Sequence, residues 1–150
     1  MLIRLIYFGY RIFQFFARPI TVGVRIMLVQ DGQILLIRHT YLKGWYLPGG
    51  GLKRGETMEA AARREAREEA GAELGEVCLV GVYSKLEKLK SDHNVLFLCT
   101  DFQWTGRHDA EIAEAKFFPL TSLPEGTGAG HRRRIEEYAR GKEGLAFGLW

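Results

Sequence analysis

Residues 57–70 restrict what this chain can fold into more than any other stretch. They are rich in Ala, Glu and Arg, all strong helix formers. Thr57 can cap the start, Glu59 suits the first turn, and Gly71 can end the helix in the left-handed conformation. At about 100° per residue, Glu65, Glu68 and Glu69 share one face. Beside them Ala62, Ala66 and Ala70 make a stripe of small side chains, so the helix can sit close to a packing partner. The carboxylates then fall at the rim of that interface, where a cleft can form. Like charges at these spacings cost a helix roughly 0.2–0.5 kcal/mol per pair. A divalent cation removes that repulsion, and Mg²⁺ takes carboxylate oxygens while keeping waters for substrate phosphates. A solvated charged helix accounts for the same residues, since Arg64 and Glu68 can pair at i, i+4. The helix alone leaves both readings open.

The elements around it predict a mixed α/β domain with helices on a sheet. Residues 21–29 alternate, with Val22, Val24, Ile26 and Leu28 on one face. Asp31-Gly32 marks a tight hairpin turn, answered by a strand over 34–37. A loop rich in Gly and aromatics covers 40–55. Strands are predicted over 77–83 and 95–102, with the charged stretch 84–94 between them as a loop or irregular hairpin. A short strand at Phe117-Phe118 ends at Pro119, and a final helix covers 131–140. The chain has 150 residues, which suits one compact domain. Its formal net charge of +3 fits an anionic substrate and is too small to mark nucleic-acid binding. Cys78 and Cys99 lie in separate apolar runs with no metal-ligand spacing, and read as small buried hydrophobes in a reducing, cytoplasmic setting.

Residues 1–18 stand apart as an amphipathic helix. Arg4, Arg11 and Arg18 recur every seven residues on one narrow stripe, and apolar side chains cover the rest. The arginines break the run too often for a signal peptide or a spanning helix. Packing on the domain or on a second subunit as a homodimer, and lying on a membrane surface through 1–17 as a peripheral contact, both fit the stripe. Residues 19–150 are expected to form the domain proper.

Reading outward from the helix gives Gly50, five residues, Glu56, seven residues, then 64–72, Arg-Glu-Ala-Arg-Glu-Glu-Ala-Gly-Ala. This resembles the Nudix box. All its polar and glycine positions are present, and Ala66 alone departs, where the family more often has a larger aliphatic residue. The preceding Leu47-Pro48-Gly49-Gly50-Gly51 and the later 117–120, Phe-Phe-Pro-Leu, extend the resemblance over about 21–140. It implies the Nudix fold, an α-β-α sandwich with a mixed sheet. It further implies a hydrolase cleaving a phosphoanhydride bond in a nucleoside diphosphate linked to another moiety, with Mg²⁺, or Mn²⁺ in its place. Glu65 and Glu69 would be the main metal ligands and Glu68 a third. Arg64 would orient a glutamate, and Glu56 would support that network. Gly50 and Gly71 would supply special backbone conformations, and Gly49 with Gly50 would line the substrate site.

The general base varies in this family, and Glu111 is the first choice here, Glu114 the second. Arg38 is a candidate phosphate contact. His93 is a candidate substrate contact, though a lone His is commonly structural, and 131–134, His-Arg-Arg-Arg, reads as a solvated face. Triphosphates, ADP-ribose, dinucleoside polyphosphates and RNA ends are all substrates of relatives. The proline frequent in the ADP-ribose hydrolases has no counterpart in 77–94, and the tyrosine of the dinucleoside polyphosphate hydrolases is missing. The alternative reading is a non-catalytic module that senses a nucleotide through the same fold. Degenerate modules of that kind usually lose the glutamates, which this chain keeps.

Overall fold

The computed structural model describes residues 12, 20–87, 90–142 and 144–150. Apart from Ile12, the helix expected over 1–18 lies outside the described residues. Strand β1 (Ile20–Gln30) turns at Asp31 and Gly32 into β2 (Gln33–His39). Both turn residues have positive φ, 50° and 72°, as the twist of a two-residue hairpin demands. Helix α1 (Met58–Glu65) follows and widens into a π-helical turn over Ala66–Ala70. Then come β3 (Ala72–Leu74), β4 (Cys78–Glu87), β5 (Lys90–Cys99), β6 (Phe102–Trp104), β7 (Ile112–Pro119), α2 (Ala129–Ala139) and β8 (Ala146–Leu149).

Six strands form one mixed sheet in the order β7-β2-β1-β5-β4-β8, and β3 pairs with β6 separately. β1 runs parallel to β5 and β4 parallel to β8, while the other pairings are antiparallel. Alternation along β1 divides the core. Val24, Ile26 and Leu28 face α1, packing with Ala61, Ala62, Ala66 and Ala70. Met27 and Val29 face α2, packing with Leu96, Tyr83 and Ile135. The three layers are the expected sandwich. The alanine stripe is fully buried, so the helix axis comes as near the sheet as a methyl group allows.

The hairpin is splayed. β1 and β2 pair only beside the turn, at Val29 with Ile34 and Gln30 with Gln33. Farther on, the segment 46–52 wedges between them. Ile26 N donates to Pro48 O at 3.0 Å and Val24 N to Gly50 O at 2.9 Å, while Ile37 and Tyr46 exchange backbone bonds at 2.9 Å. The segment 46–52 thus has sheet-like hydrogen bonding to β1 through Pro48, Gly50 and Leu52 and to β2 through Tyr46, which holds it rigid.

Two expectations are corrected and one is narrowed. Of the loop or irregular hairpin expected over 84–94, the structure takes the hairpin, largely strand, with Glu87 facing Lys90 and Lys85 facing Asp92 across the ladder. Opposite charges in register stabilise a strand pair that composition alone argues against. Cys78 is exposed at the start of β4, and only Cys99 is buried; both are free thiols. The start of α2 is not simply a solvated face, since His131 and Arg134 are buried. Arg134 lies 4.2 Å from the centre of the Tyr83 ring, a cation–π contact that offsets its loss of water.

Candidate active site

The site begins with the cap of α1. Thr57 Oγ1 accepts from Ala60 N at 3.1 Å, so the helix starts where the sequence places it. Its polar face then meets the wedged segment. Arg64 is the hub of this contact. Its Nε and Nη2 donate to Glu56 at 2.8 and 2.9 Å, its Nη1 to Glu65 at 2.6 Å and Glu68 at 3.2 Å, and its Nη2 to Gly51 O at 3.1 Å. The hydrogen bonds from Arg64, with the Lys53 amide behind them, hold the Glu56 carboxyl down at about 2. The same partners, Glu56 first, push the Arg64 guanidinium upward. One guanidinium therefore ties the loop before the helix, the helix and the wedge together.

Glu69 departs from that network. The π-turn carries it to the wedge, where its Oε2 accepts from the Gly49 amide at 2.8 Å. Burial raises its carboxyl to about 7, the Gly49 amide and Arg25 oppose the shift, and the charges of Glu65 and Glu111 add to it. Glu65 is buried, and Glu69 is half-buried. A Cβ on Gly50 would stand 2.5 Å from Glu65 Oε1, so glycine is what lets that carboxylate reach the backbone. Gly49 has a φ of 147°, and a Cβ there would strike Val24 O at 2.1 Å.

A buried and a half-buried carboxylate, Glu65 and Glu69, with the Glu65 charge raising the proton affinity of Glu69, are a donor set suited to a hard divalent cation. Glu65, Glu68 and Glu69 fit such an ion by chemistry. They are not gathered as a finished cage, since Arg64 holds Glu65 and Glu68. No three Asp, Glu, His or Cys side chains among the described residues stand at metal-holding positions.

A cleft of about 470 Å³ opens at the wedge. Gly49–Gly51, Arg25, His39, Asn94 and His131 line it, and Arg25 stands within charge reach of Glu69 and Glu65. Burial lowers the affinity of Arg25 for its proton, while Glu69 and Glu65 oppose that shift. Burial first, then Arg25, likewise keeps His39 neutral, and its Nδ1 is buried without a partner. His131 Nδ1 accepts from Leu47 N at 3.1 Å, and burial pushes its pKa down to about 3.

The family model for the NUDIX domain matches residues 17–138. The chain belongs to the Nudix family. It is 34% identical over 128 residues to an ADP-ribose pyrophosphatase of Methanocaldococcus jannaschii, covering 82% of this chain and 75% of that one. It is 32% identical over 110 residues to the 8-oxo-dGDP phosphatase NUDT18 of Homo sapiens, covering 69% of this chain and 33% of that longer protein. Among solved structures it resembles the MutT NUDIX hydrolase of Burkholderia pseudomallei. The TM-score is 0.72 at 27% identity, covering 79% of this chain and 97% of the other. The chain is thus a Nudix hydrolase, an enzyme acting on phosphorus-containing anhydrides, in a family that generally uses divalent cations.

With that membership the positions of the Nudix residues can be compared. Glu56, Arg64, Glu65, Glu68, Glu69, Gly49 and Gly50 meet at the wedge. Gly71 stands at the far end of the π-turn with φ 66°. Glu111 is exposed just before β7, and its charge reaches Glu69, His39 and Tyr41. Glu114 pairs instead with Arg38 at 3.0 Å in the open, and Arg38 is not among the residues lining the cleft. His93 binds Ser84 through Nδ1 at 2.9 Å, while its neighbours Asp92 and Asn94 line the cleft. Strand parity separates them: alternate residues of β5 face opposite sides. Arg25, His39, Asn94 and His131 were missed. Only the polar interruption of an apolar strand at Arg25 gave any local signal.

Proposed function

We propose that this chain is a Mg²⁺-dependent pyrophosphohydrolase. It cleaves a phosphoanhydride of a nucleoside diphosphate linked to another moiety, of the triphosphate or ADP-ribose kind. The carrying observation is the meeting of Glu65 and Glu69 with Gly49 and Gly50 at the mouth of a cleft lined by Arg25 and His39. A relative named as an ADP-ribose pyrophosphatase supports the ADP-ribose kind, and relatives named for 8-oxo-dGDP and 8-oxo-dGTP support a nucleoside phosphate.

Glu65, Glu68 and Glu69 would hold the cation. When bound, it neutralises phosphate oxygens and makes a water more acidic. The chain does the rest by position and charge. Arg25 presents a half-buried positive charge to the diphosphate. His39, kept neutral, offers a hydrogen bond to the same group. Arg64 fixes the rotamers of Glu65 and Glu68. Glu111 takes the proton of the attacking water, because its charge reaches the carboxylate pair while Glu114 is engaged with Arg38.

The deciding experiment is a panel of nucleoside triphosphates, oxidised triphosphates and ADP-ribose, with products identified by mass. Release of a nucleoside monophosphate with Mg²⁺ or Mn²⁺, abolished by EDTA, is expected. Nucleotide binding with no turnover across the panel would establish the nucleotide-sensing module instead. Two free cysteines support a reducing, cytoplasmic setting. For residues 1–17 the favoured reading is packing on the domain or on a second copy. A chain beginning at Pro19 should then melt lower or sediment as a smaller species. Liposome co-sedimentation of the full chain alone would establish the membrane-surface reading instead.

A further inference from the structure

Part of one sheet face has no packing partner among the described residues. On the α1 side, the helix covers Val24, Ile26 and Leu28 of β1. Beyond them the same side carries Ile20 and Val22 of β1, Val82 and Leu86 of β4, and Phe147 and Leu149 of β8, brought to one side by the strand register. All six are exposed, Phe147 at 91% and Ile20 at 76%. A sheet face that meets water normally carries polar side chains. Here the polar pair in their midst, Ser84 and His93, are bonded to each other at 2.9 Å. A contiguous apolar patch of this kind marks a contact surface.

The chain itself supplies an occupant of matching character. β1 begins at Ile20, a corner of this patch, so residues 1–19 join the domain at the edge of the uncovered face. Residues 1–18 are largely apolar. Read as a helix, they place Arg4, Arg11 and Arg18 on one stripe and Leu2, Ile6, Phe13 and Phe16 opposite it. Pro19 would end such a helix and allow the chain to reverse over the sheet. A helix of residues 1–18 would be about 27 Å long. The patch spans about 14 Å from β1 to β8 and about 23 Å along β4 from Leu79, exposed too, to Leu86, so its diagonal is also about 27 Å.

We propose that residues 1–18 lie as an amphipathic helix across this face of their own domain. Leu2, Ile6, Phe13 and Phe16 meet Val82, Phe147 and their neighbours, and the arginine stripe faces water. The inference rests on the packing reading of residues 1–17 above and names the surface they pack on. It is independent of the hydrolase reading, because the strand residues lining the cleft include Thr21, Gly23, Asp92 and Asn94, which point to the other side of the sheet. One contact removes two apolar surfaces from water, and it completes the helical layer that α1 begins. A second copy seated on the face would leave the apolar side of residues 1–18 uncovered.

The test is thiol accessibility in the full chain. Phe147→Cys is combined with Cys78→Ser, which leaves the buried Cys99 as the other thiol. Maleimide should label the new thiol about tenfold or more slowly than a free thiol, as a contact that opens only locally requires. The protection should hold at every protein concentration, in a species that sediments as a monomer. Ile6→Glu with Phe13→Glu should restore fast labelling, with the fold intact by circular dichroism. Leu149→Cys repeats the measurement on the same strand and carries it if the first variant does not fold. Labelling at the free-thiol rate, or slow labelling that the double glutamate variant leaves unchanged, overturns the proposal. Protection that fades on dilution as a dimer dissociates puts a second copy on this face. That outcome overturns the inference and leaves the packing reading standing. Protection that appears only with phosphatidylglycerol vesicles overturns both.

Discussion

Two adjacent glycines have different jobs at the same wedge. A Cβ on Gly50 would meet the end of the Glu65 side chain, which can move aside. Gly50→Ala should therefore leave the melting temperature nearly unchanged and lower kcat about 10–100-fold, the scale for disturbing a group that orients metal ligands. A Cβ on Gly49 would meet the β1 backbone at Val24 O, which cannot move. Gly49→Ala should destabilise by about 1–3 kcal/mol through the backbone alone, read as a lower urea midpoint. If both variants lose stability equally, the distinction is wrong. Glu69→Gln keeps the shape but removes a charge from the proposed ligand set. We expect kcat to fall by about three orders of magnitude with the fold intact, since charge stabilisation carries most of such chemistry. Near-normal activity would remove Glu69 from the ligand set. The glutamates and their spacing were legible because helical periodicity is a local property. Arg25 and Asn94 were not, because nothing within a few residues of either says which wall of a cleft it will face.

At the scale of elements, the π-turn is the feature that helical pattern reading does not reach. A regular helix over 57–70 and the observed α1 plus π-turn have the same composition and the same Gly71 end. The turn widens where Trp104 Nε1 donates to Ala70 O at 2.8 Å and Thr105 N to Gly71 O at 2.8 Å. These partners come from a distant segment, so the widening is a tertiary choice. Short π segments recur at functional sites, and this one delivers Glu69 to Gly49. Gly71 holds the far end with φ 66°, against the Arg107 backbone. Gly71→Ala should cost about 1–3 kcal/mol, and it should lower activity in fully folded protein by releasing Glu69. Unchanged kcat at saturating Mg²⁺ would show that the turn is only structural. β3, β6 and β8 were likewise unforeseen. Each is three or four residues long, too short for alternation to register.

For the whole molecule, acid stability reports two buried groups with opposite signs. His131 has its folded pKa lowered to about 3 by burial. Its unfolded value near 6.5 means that the unfolded state takes the proton first, so stability is full above that pH and is lost as pH falls toward 3. Glu69 has its folded pKa raised to about 7 by burial, so it favours folding below its unfolded value near 4.5 and loses that contribution as pH rises to 7. Melting curves of the full chain and of His131→Gln should therefore diverge most on the acid side, with the variant losing less stability between pH 6.5 and 4.5. Parallel curves would mean that His131 is not buried neutral. What the sequence alone determined is everything set by neighbours in the chain: the helix with its cap and glycine end, the hairpin turn, the glutamate face and the family motif. What only the tertiary structure decided is the cleft. It exists because residues 46–52 separate β1 from β2, and because β1, β2, β5 and α2 then bring Arg25, His39, Asn94 and His131 to line it. Those contacts join residues up to about a hundred positions apart, and no local periodicity can encode which of them will meet.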